Sequence, residues 1–394
     1  MHAFEDFFPG LAVVSALILA ALAGSVVCRR VGLPAPTAFL AVGVVAGLLE
    51  LGPADDLSPL ELQQIGVLAL YAILFQGGAA TGFTAWRREA RPILGLGLAG
   101  TAATAGLLAI VANVALGLDW EVALLIGIAL APTDPAAVYA ALRSRSGMAR
   151  TRTILEGESG FNDPVAISLM VVAVSALAED SASAGDVGRR MAQELLIGTA
   201  GGLLAGGMLI LLMRQLPRLE DGFVSVALLT AAVLAGALTA WLHGSGFLAV
   251  YLAGLLVSDQ WAKRSGHHHA TPEAVAGGAE VLLFALLGSA LVTSVEGGDV
   301  WRGALIGVLL IAFVRPLVVW MTTFGSQLTR NELVVSSLGG LKGAVPLLLA
   351  VYPALEQLDG SERVQAIVLV ATALSLVVQG GGLTLAVSHS SRRA

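Results

Sequence analysis

Apolar runs of about 20 residues recur along this chain of 394, each long enough to cross the hydrocarbon core of a bilayer as a helix. Only 13% of the residues are charged and 56% are hydrophobic, where a soluble chain carries roughly 25% charge. No run alternates apolar and polar positions with period 2, as a membrane β-barrel needs. An all-α polytopic membrane protein is therefore expected, with about thirteen spans. They are placed at 10–28, 33–50, 62–82, 92–117, 121–141, 154–178, 190–213, 222–242, 246–259, 274–294, 301–323, 332–355 and 363–388. No soluble regulatory domain is expected beside them. The single Cys28 excludes an intramolecular disulfide.

Orientation follows from the cations. Sixteen of the 22 Lys and Arg fall on one set of loops, four on the other, and two, Arg315 and Lys342, inside spans. This places the N-terminus outside and the C-terminus in the cytoplasm of a cell-membrane protein. The basic loop with Arg143, Arg145, Arg150 and Arg152 is explained by that topology. His267, His268 and His269 read as a solvated cytoplasmic loop.

The two halves of the chain resemble each other. Phe39-Leu-Ala-Val42 followed by Ala46-Gly-Leu-Leu49 returns as Phe247-Leu-Ala-Val250 followed by Ala253-Gly-Leu-Leu256. The second span thus pairs with the ninth. A shift by seven spans inverts the copy in the bilayer, as in transporters with a midplane site between repeats. One transmembrane domain is expected, with repeat 1 at about 10–178, a linker helix at about 190–213 and repeat 2 at about 222–388. The same offset carries Asp134 onto Lys342. Asp134 lies among prolines in span 5 and Lys342 among glycines in span 12, so both spans are expected to break there. Broken spans leave helix ends inside the membrane, each carrying about half a charge. Asp134 and Lys342 provide one charge of each sign to balance them.

Asp134, Glu156, Glu158, Asp163, Arg315 and Lys342 all need places within spans, with Glu280 as a seventh. A charge on a membrane helix costs several kcal/mol unless it is paired or in use. Read as a helix, 154–178 puts Ser159 and Asp163 on one line and Glu158 and Asn162 on another, about 100° round. Arg315 is expected to pair with Glu158, with Asn162 bridging. Glu156 is expected to reach for the cytoplasmic start of its helix. Asp163 is then left without a cation. It is expected to hold either a proton or a small hard cation, with oxygens of Ser159 and Thr133 beside it. The alternatives are a local hydrogen-bonding role for Asp163 ahead of Pro164, and structural roles for the other charges.

Ala131-Pro-Thr-Asp-Pro135, Glu158-Ser-Gly-Phe-Asn-Asp163 and Gly339-Gly-Leu-Lys-Gly-Ala344 resemble the signature stretches of the NhaP/NHE branch of monovalent cation:proton antiporters. The resemblance extends over the whole chain. It implies thirteen helices in inverted repeats, with spans 5 and 12 discontinuous and crossed. It further implies a six-helix core that moves against a dimer domain, a homodimer and electroneutral exchange. Carried over, Asp163 would be the shared cation and proton carboxylate, with Ser159 and Thr133 as oxygen ligands. Asp134 would act through a water or the helix ends, and Glu158 with Arg315 would hold Asn162. Two positions depart from the pattern. Gln76, in Ile73-Leu-Phe-Gln-Gly-Gly78, stands where many relatives carry an acid, keeping a carbonyl oxygen but losing a charge. Lys342 stands where the family usually has Arg, keeping the charge but losing the planar fork.

The expected function is secondary active exchange of Na+ or Li+ for H+. The same mechanism with K+ is the alternative that Gln76 motivates, and a passive cation channel is a further one. An enzyme is not expected, because Ser159 has no His or Lys beside it as base. No cofactor is expected beyond the transported ions, and no nucleic acid. No Gly-Lys-Ser/Thr phosphate loop occurs, so no nucleotide is expected either. The expected partners are membrane lipid and a second copy of the chain.

Overall fold

A computed structural model describes residues 7–51, 57–134, 148–178, 183–215, 221–265, 270–326 and 328–390. Among these residues the chain is helical and contains no strand. Helices α1 (Phe7–Arg30) and α2 (Ala35–Leu48) are followed by α3 (Pro59–Thr81), which starts at a capping box of Ser58 and Glu61. Then come α4 (Phe83–Arg88) and α5 (Ala90–Leu94), and a π-helical stretch, Gly95–Gly100, that runs into α6 (Thr101–Leu116). Gly117 ends α6 at a φ of 65°, the left-handed cap that glycine takes without strain. Helix α7 (Trp120–Ala129) is short, and α8 (Ala149–Ala178) is 30 residues long.

The second half comprises α9 (Ala184–Gln215), α10 (Asp221–Trp241), α11 (Gly246–Ser265), α12 (Ala270–Val292) and α13 (Gly297–Leu309). A second π-helical stretch, Leu310–Val314, leads into α14 (Arg315–Thr322). After it come α15 (Arg330–Leu338), α16 (Ala344–Leu349), α17 (Tyr352–Leu355) and α18 (Ser361–Ser390). A capping box of Thr329 and Glu332 starts α15.

Nine helices among the described residues are long and apolar enough to cross a membrane, and three shorter apolar ones accompany them. Helix α8 begins at Ala149, one turn before the expected start of its span, because Thr151 and Ile154 extend its buried face. Helix α11 runs on to Ser265, past the expected end at 259, carrying Asp259, Gln260 and Lys263 on its last turns. The expected span 121–141 is described only as far as Asp134, and Arg143, Arg145 and His267 to His269 lie outside the described residues.

The helices sort into two groups by packing. Helices α1, α2, α3, α9, α10, α11 and α12 lie against one another. The second group comprises α6, α7, α8, α13 to α16 and α18. Where the groups meet, α8 rests on α3, α9 and α11, and α16 rests on α12. In the first group small residues let backbones touch, as membrane helices require. Gly47 and Gly254, the glycines aligned by the repeat, do this at matched places. A Cβ on Gly47 would stand 2.5 Å from the Ser289 carbonyl, and one on Gly254 would strike the Phe75 carbonyl. The outer surface is apolar, with Leu19, Leu204, Met208 and Phe324 exposed; Trp120, Trp241 and Trp301 are exposed at helix ends. A bilayer is the solvent that suits such a surface.

Candidate functional site

Two unwound segments cross inside the second group. Pro132 lacks an N–H and disfavours helix before it, so α7 stops at Ala129 and the chain is non-helical through Asp134. In the other segment α15 ends at Leu338, and Gly339, Gly340 and Gly343 unwind the chain until α16 starts at Ala344. The segments are joined where the Asp134 backbone N–H donates to the Leu341 carbonyl at 2.8 Å. Each charged residue then serves a helix end of the other segment. Lys342 Nζ donates to the carbonyls of Ala131 at 3.2 Å and Pro132 at 2.9 Å, just past the negative end of α7. The Asp134 carboxylate lies against Gly343 at the positive end of α16; a Cβ there would stand 3.1 Å from Oδ2.

Helix α8 crosses beneath both breaks, and it is buried without interruption from Ile154 to Ser168. Glu158 meets Arg315 as a two-point pair: Nη1 donates to Oε1, and Nη2 to Oε2 at 2.8 Å. Nη2 also donates to the Ser336 carbonyl at 3.0 Å, which ties α15 into the pair. Both π-helical stretches abut this point. Arg315 directly follows the second, and a Cβ on Gly97 of the first would be 3.3 Å from the Glu158 carbonyl. Such bulges recur where a helix must re-aim a functional side chain.

Asn162 differs from the expectation that Glu158 and Arg315 hold it. Its Nδ2 donates to Thr133 Oγ1 at 2.8 Å, and its Oδ1 accepts from the Thr133 N–H at 3.4 Å. The amide matches both polar groups that the break exposes on Thr133, whereas Glu158 is already taken up by the guanidinium. Ser159 Oγ donates to the Thr133 carbonyl at 2.6 Å. Thr133 is thus bound to α8 at two residues, Ser159 and Asn162, on the same stretch of helix as Asp163.

Asp163 is 5% exposed, and its Oδ1 has no hydrogen-bond partner among the described residues. It forms no salt bridge among them either. Pro164 follows inside the helix and has no N–H for the Gly160 carbonyl, so that acceptor is left over one turn before. Glu156 pairs with Arg152 at 3.5 Å, one turn nearer the helix start. Gln76 lies on α3, half-buried, its Oε1 buried and without a hydrogen bond among the described residues. No bond joins it to Asp163, Ser159 or Thr133. The described residues hold no group of three or more His, Cys, Asp or Glu placed to bind a metal. The local chemistry is one carboxylate with hydroxyl and carbonyl oxygens, a set suited to a weakly held hard cation.

Three residues of this region escaped the sequence reading. Ser375 Oγ accepts from the Lys342 backbone N–H at 3.0 Å and donates to Gln379 Oε1 at 2.5 Å; both side chains are fully buried. Their signal was present as two polar residues four apart in an apolar span. Tyr251 of α11, also fully buried, lays its ring on Gly160 and edge-on to Phe161, with centroids 5.6 Å apart. Nothing in the sequence marks that contact, which joins the two helix groups.

The family described as sodium/hydrogen exchanger, transmembrane, matches residues 15–389. The K(+)/H(+) antiporter NhaP2 of Shewanella sp. (strain ANA-3) is 34% identical over 387 residues, covering 95% of this chain and 65% of that relative. This chain therefore spans just under two thirds of the length of that relative. The Na(+)/H(+) antiporter NhaH of Halobacillus dabanensis is 26% identical over 399 residues, covering 96% of this chain and 97% of its own. The sodium proton antiporter MjNhaP1 from Methanocaldococcus jannaschii has the same fold, with a TM-score of 0.77 at 21% identity over 96% of this chain and 98% of that one. With a family match over nearly its whole length, this chain is a member of the sodium/hydrogen exchanger family.

Proposed function

We propose that the chain is a monovalent cation/proton antiporter in which Asp163 holds a cation and a proton by turns. One observation carries this reading. Asp163 is buried with an unpartnered oxygen, while Glu158 has Arg315 and Lys342 has two carbonyls. A lone buried carboxylate must be neutralised to be tolerated, and a proton or a metal ion can each do so, but not both together. Thr133 Oγ1, Ser159 Oγ and the Gly160 carbonyl supply further oxygens for the metal ion. Asp134 and Lys342 balance the helix ends, and Glu158 with Arg315 fixes α8 to the break. One carboxylate that trades one cation for one proton gives electroneutral exchange.

Alternating access follows from the same cost. The second helix group is proposed to move against the first along the face where α8 meets α3, α9 and α11. A bare carboxylate is too costly to carry through a dry gap, so only the neutralised site crosses. The inverted repeats at about 10–178 and 222–388, a homodimer built on the first group, and a cytoplasmic C-terminus in the cell membrane belong to this reading. No cofactor or catalytic step enters it.

Na+ or Li+ is the proposed cation. K+ is the second reading, favoured by the neutral Gln76 and by the names of the 34% identical relatives. Opposed Na+ and K+ gradients on one proteoliposome preparation separate the two. The mechanism is tested with Asp163→Asn. The variant is expected to purify as a monodisperse protein and to show no exchange; undiminished exchange overturns the proposal. Saturating, voltage-insensitive exchange in the native protein excludes a channel.

A further inference from the structure

The mechanism above leaves the half-buried carboxylate of Glu280 without a role. Glu280 sits halfway along α12, in the first helix group, and α12 packs on α16 and α3. Its Oε1 is buried with no hydrogen-bond partner among the described residues, and none of them forms a salt bridge with it. A purely structural carboxylate at such a depth would be expected to have a donor or a cation. The charge of Asp134, of the same sign, acts on it.

The helix around it is closed on one side and open on the other. Stepping from Glu280 by turns towards the end of α12, Phe284 is 1% exposed and Leu287 is fully buried. Stepping back towards Ala270, Gly277 is half-buried and Glu273 is exposed. A Cβ on Gly277 or Gly278 would meet nothing within 4 Å. The face that carries Glu280 therefore opens towards the start of α12, which the cation asymmetry places in the cytoplasm. Glu280 and Asp134 carry charge of the same sign and repel each other, and a monovalent cation drawn up to them relieves the repulsion.

We infer that Glu280 is a cation-attracting residue of the cytoplasmic access path, drawing the transported ion in past Asp134 towards Asp163 and supplying the negative charge that Gln76 lacks. This rests on the reading of Asp163 as the exchange site. Because Glu280 acts through its charge on an ion that moves on, its loss should weaken cation capture and spare turnover.

The experiment uses the full chain in liposomes, with Na+ or K+ offered on the cytoplasmic face. Glu280→Gln is expected to raise the cation KM about tenfold, the effect of one charge at roughly 10 Å in a medium of dielectric constant about 20. The maximal rate should stay within about twofold, and Glu280→Asp should restore most of the KM. Half-maximal thermal stabilisation by the same cation should need about tenfold more cation, a readout independent of transport. An unchanged KM, or a lost maximal rate at unchanged KM, overturns the inference. Should Glu280→Gln not fold, Glu280→Cys in a Cys28→Ser background is labelled instead with a membrane-impermeant thiol reagent. Labelling from the cytoplasmic face that the cation slows supports the path, and absence of labelling overturns it. Exchange surviving in Asp163→Asn would mark failure of the underlying reading. An inactive Asp163→Asn beside an unaffected Glu280→Gln would defeat this inference alone.

Discussion

Arg315 and Glu158 have side chains 4% and 1% exposed, so either would be an uncompensated buried charge without the other. Removing one partner of such a pair costs about 3–5 kcal/mol, whereas replacing both with apolar residues costs far less. Arg315→Leu is therefore expected to lower the unfolding temperature steeply in detergent, and Glu158→Leu/Arg315→Leu to recover much of the loss. In the proposed mechanism Asp163 is governed by competition instead. At low pH the proton occupies the carboxylate and the cation cannot bind, so exchange falls as pH drops and rises as pH increases. A tenfold higher cation concentration should move the half-maximal pH down by about one unit, the linkage for one proton displaced by one cation. A half-maximal pH that does not move with cation concentration would show that the two ions do not share a site. Of these residues, the charges and their burial were legible in the sequence. The partner of Asn162 was not, because a helical reading offers it only Glu158, one turn away, and the tertiary fold alone brings the exposed N–H and hydroxyl of Thr133 onto α8.

At the scale of elements, the crossing of the two breaks organises the site. Lys342 is the donor for two carbonyls at the end of α7, and those acceptors lie where water is scarce. Lys342→Met leaves them unpaired and is expected to destabilise the protein by about 2–3 kcal/mol, measured by thermal unfolding, even though methionine fills a similar volume. The other decisive contact is between helices. A Cβ on Gly160 would fall inside the Tyr251 ring, so Gly160→Ala should cost about 1–3 kcal/mol through overpacking and slow exchange. Tyr251→Leu in the same chain should relieve both effects; if it does not, the α8–α11 contact is not where the strain lies. Prolines and glycines made the breaks visible in the sequence, since each removes a donor or a side chain from the helix. The Tyr251 contact was hidden, because an aromatic residue in an apolar span looks the same whether it faces lipid or a glycine on another helix.

Over the whole molecule, two groups of helices meet along one face, and α8, the helix that carries Asp163, packs across it. The proposed orientation is testable: in a chain with Cys28→Ser, a cysteine at Asp359 should react with an impermeant thiol reagent added outside intact cells, and one at Lys263 should not. The reverse pattern would invert the proposed topology. Nine long apolar helices and three shorter ones among the described residues fall where hydropathy expects spans, apart from their ends, which slip by a turn where polar residues continue a helix beyond the apolar core, as on α11. How the helices divide into two groups was not readable, since the apolar runs are compositionally alike and lipid exposes what another helix buries.

The sequence by itself determined that this chain is a bundle of membrane helices with charges at a few buried positions and two broken spans, because the bilayer penalises unpaired polar groups regardless of tertiary context. Only the tertiary structure decided the partners of the other polar groups, such as Thr133 for Asn162 and two backbone carbonyls for Lys342. Pairing depends on distances of a few ångströms between helices far apart in sequence, and those are set by glycine contacts, π-helical stretches and crossing angles that no local pattern records.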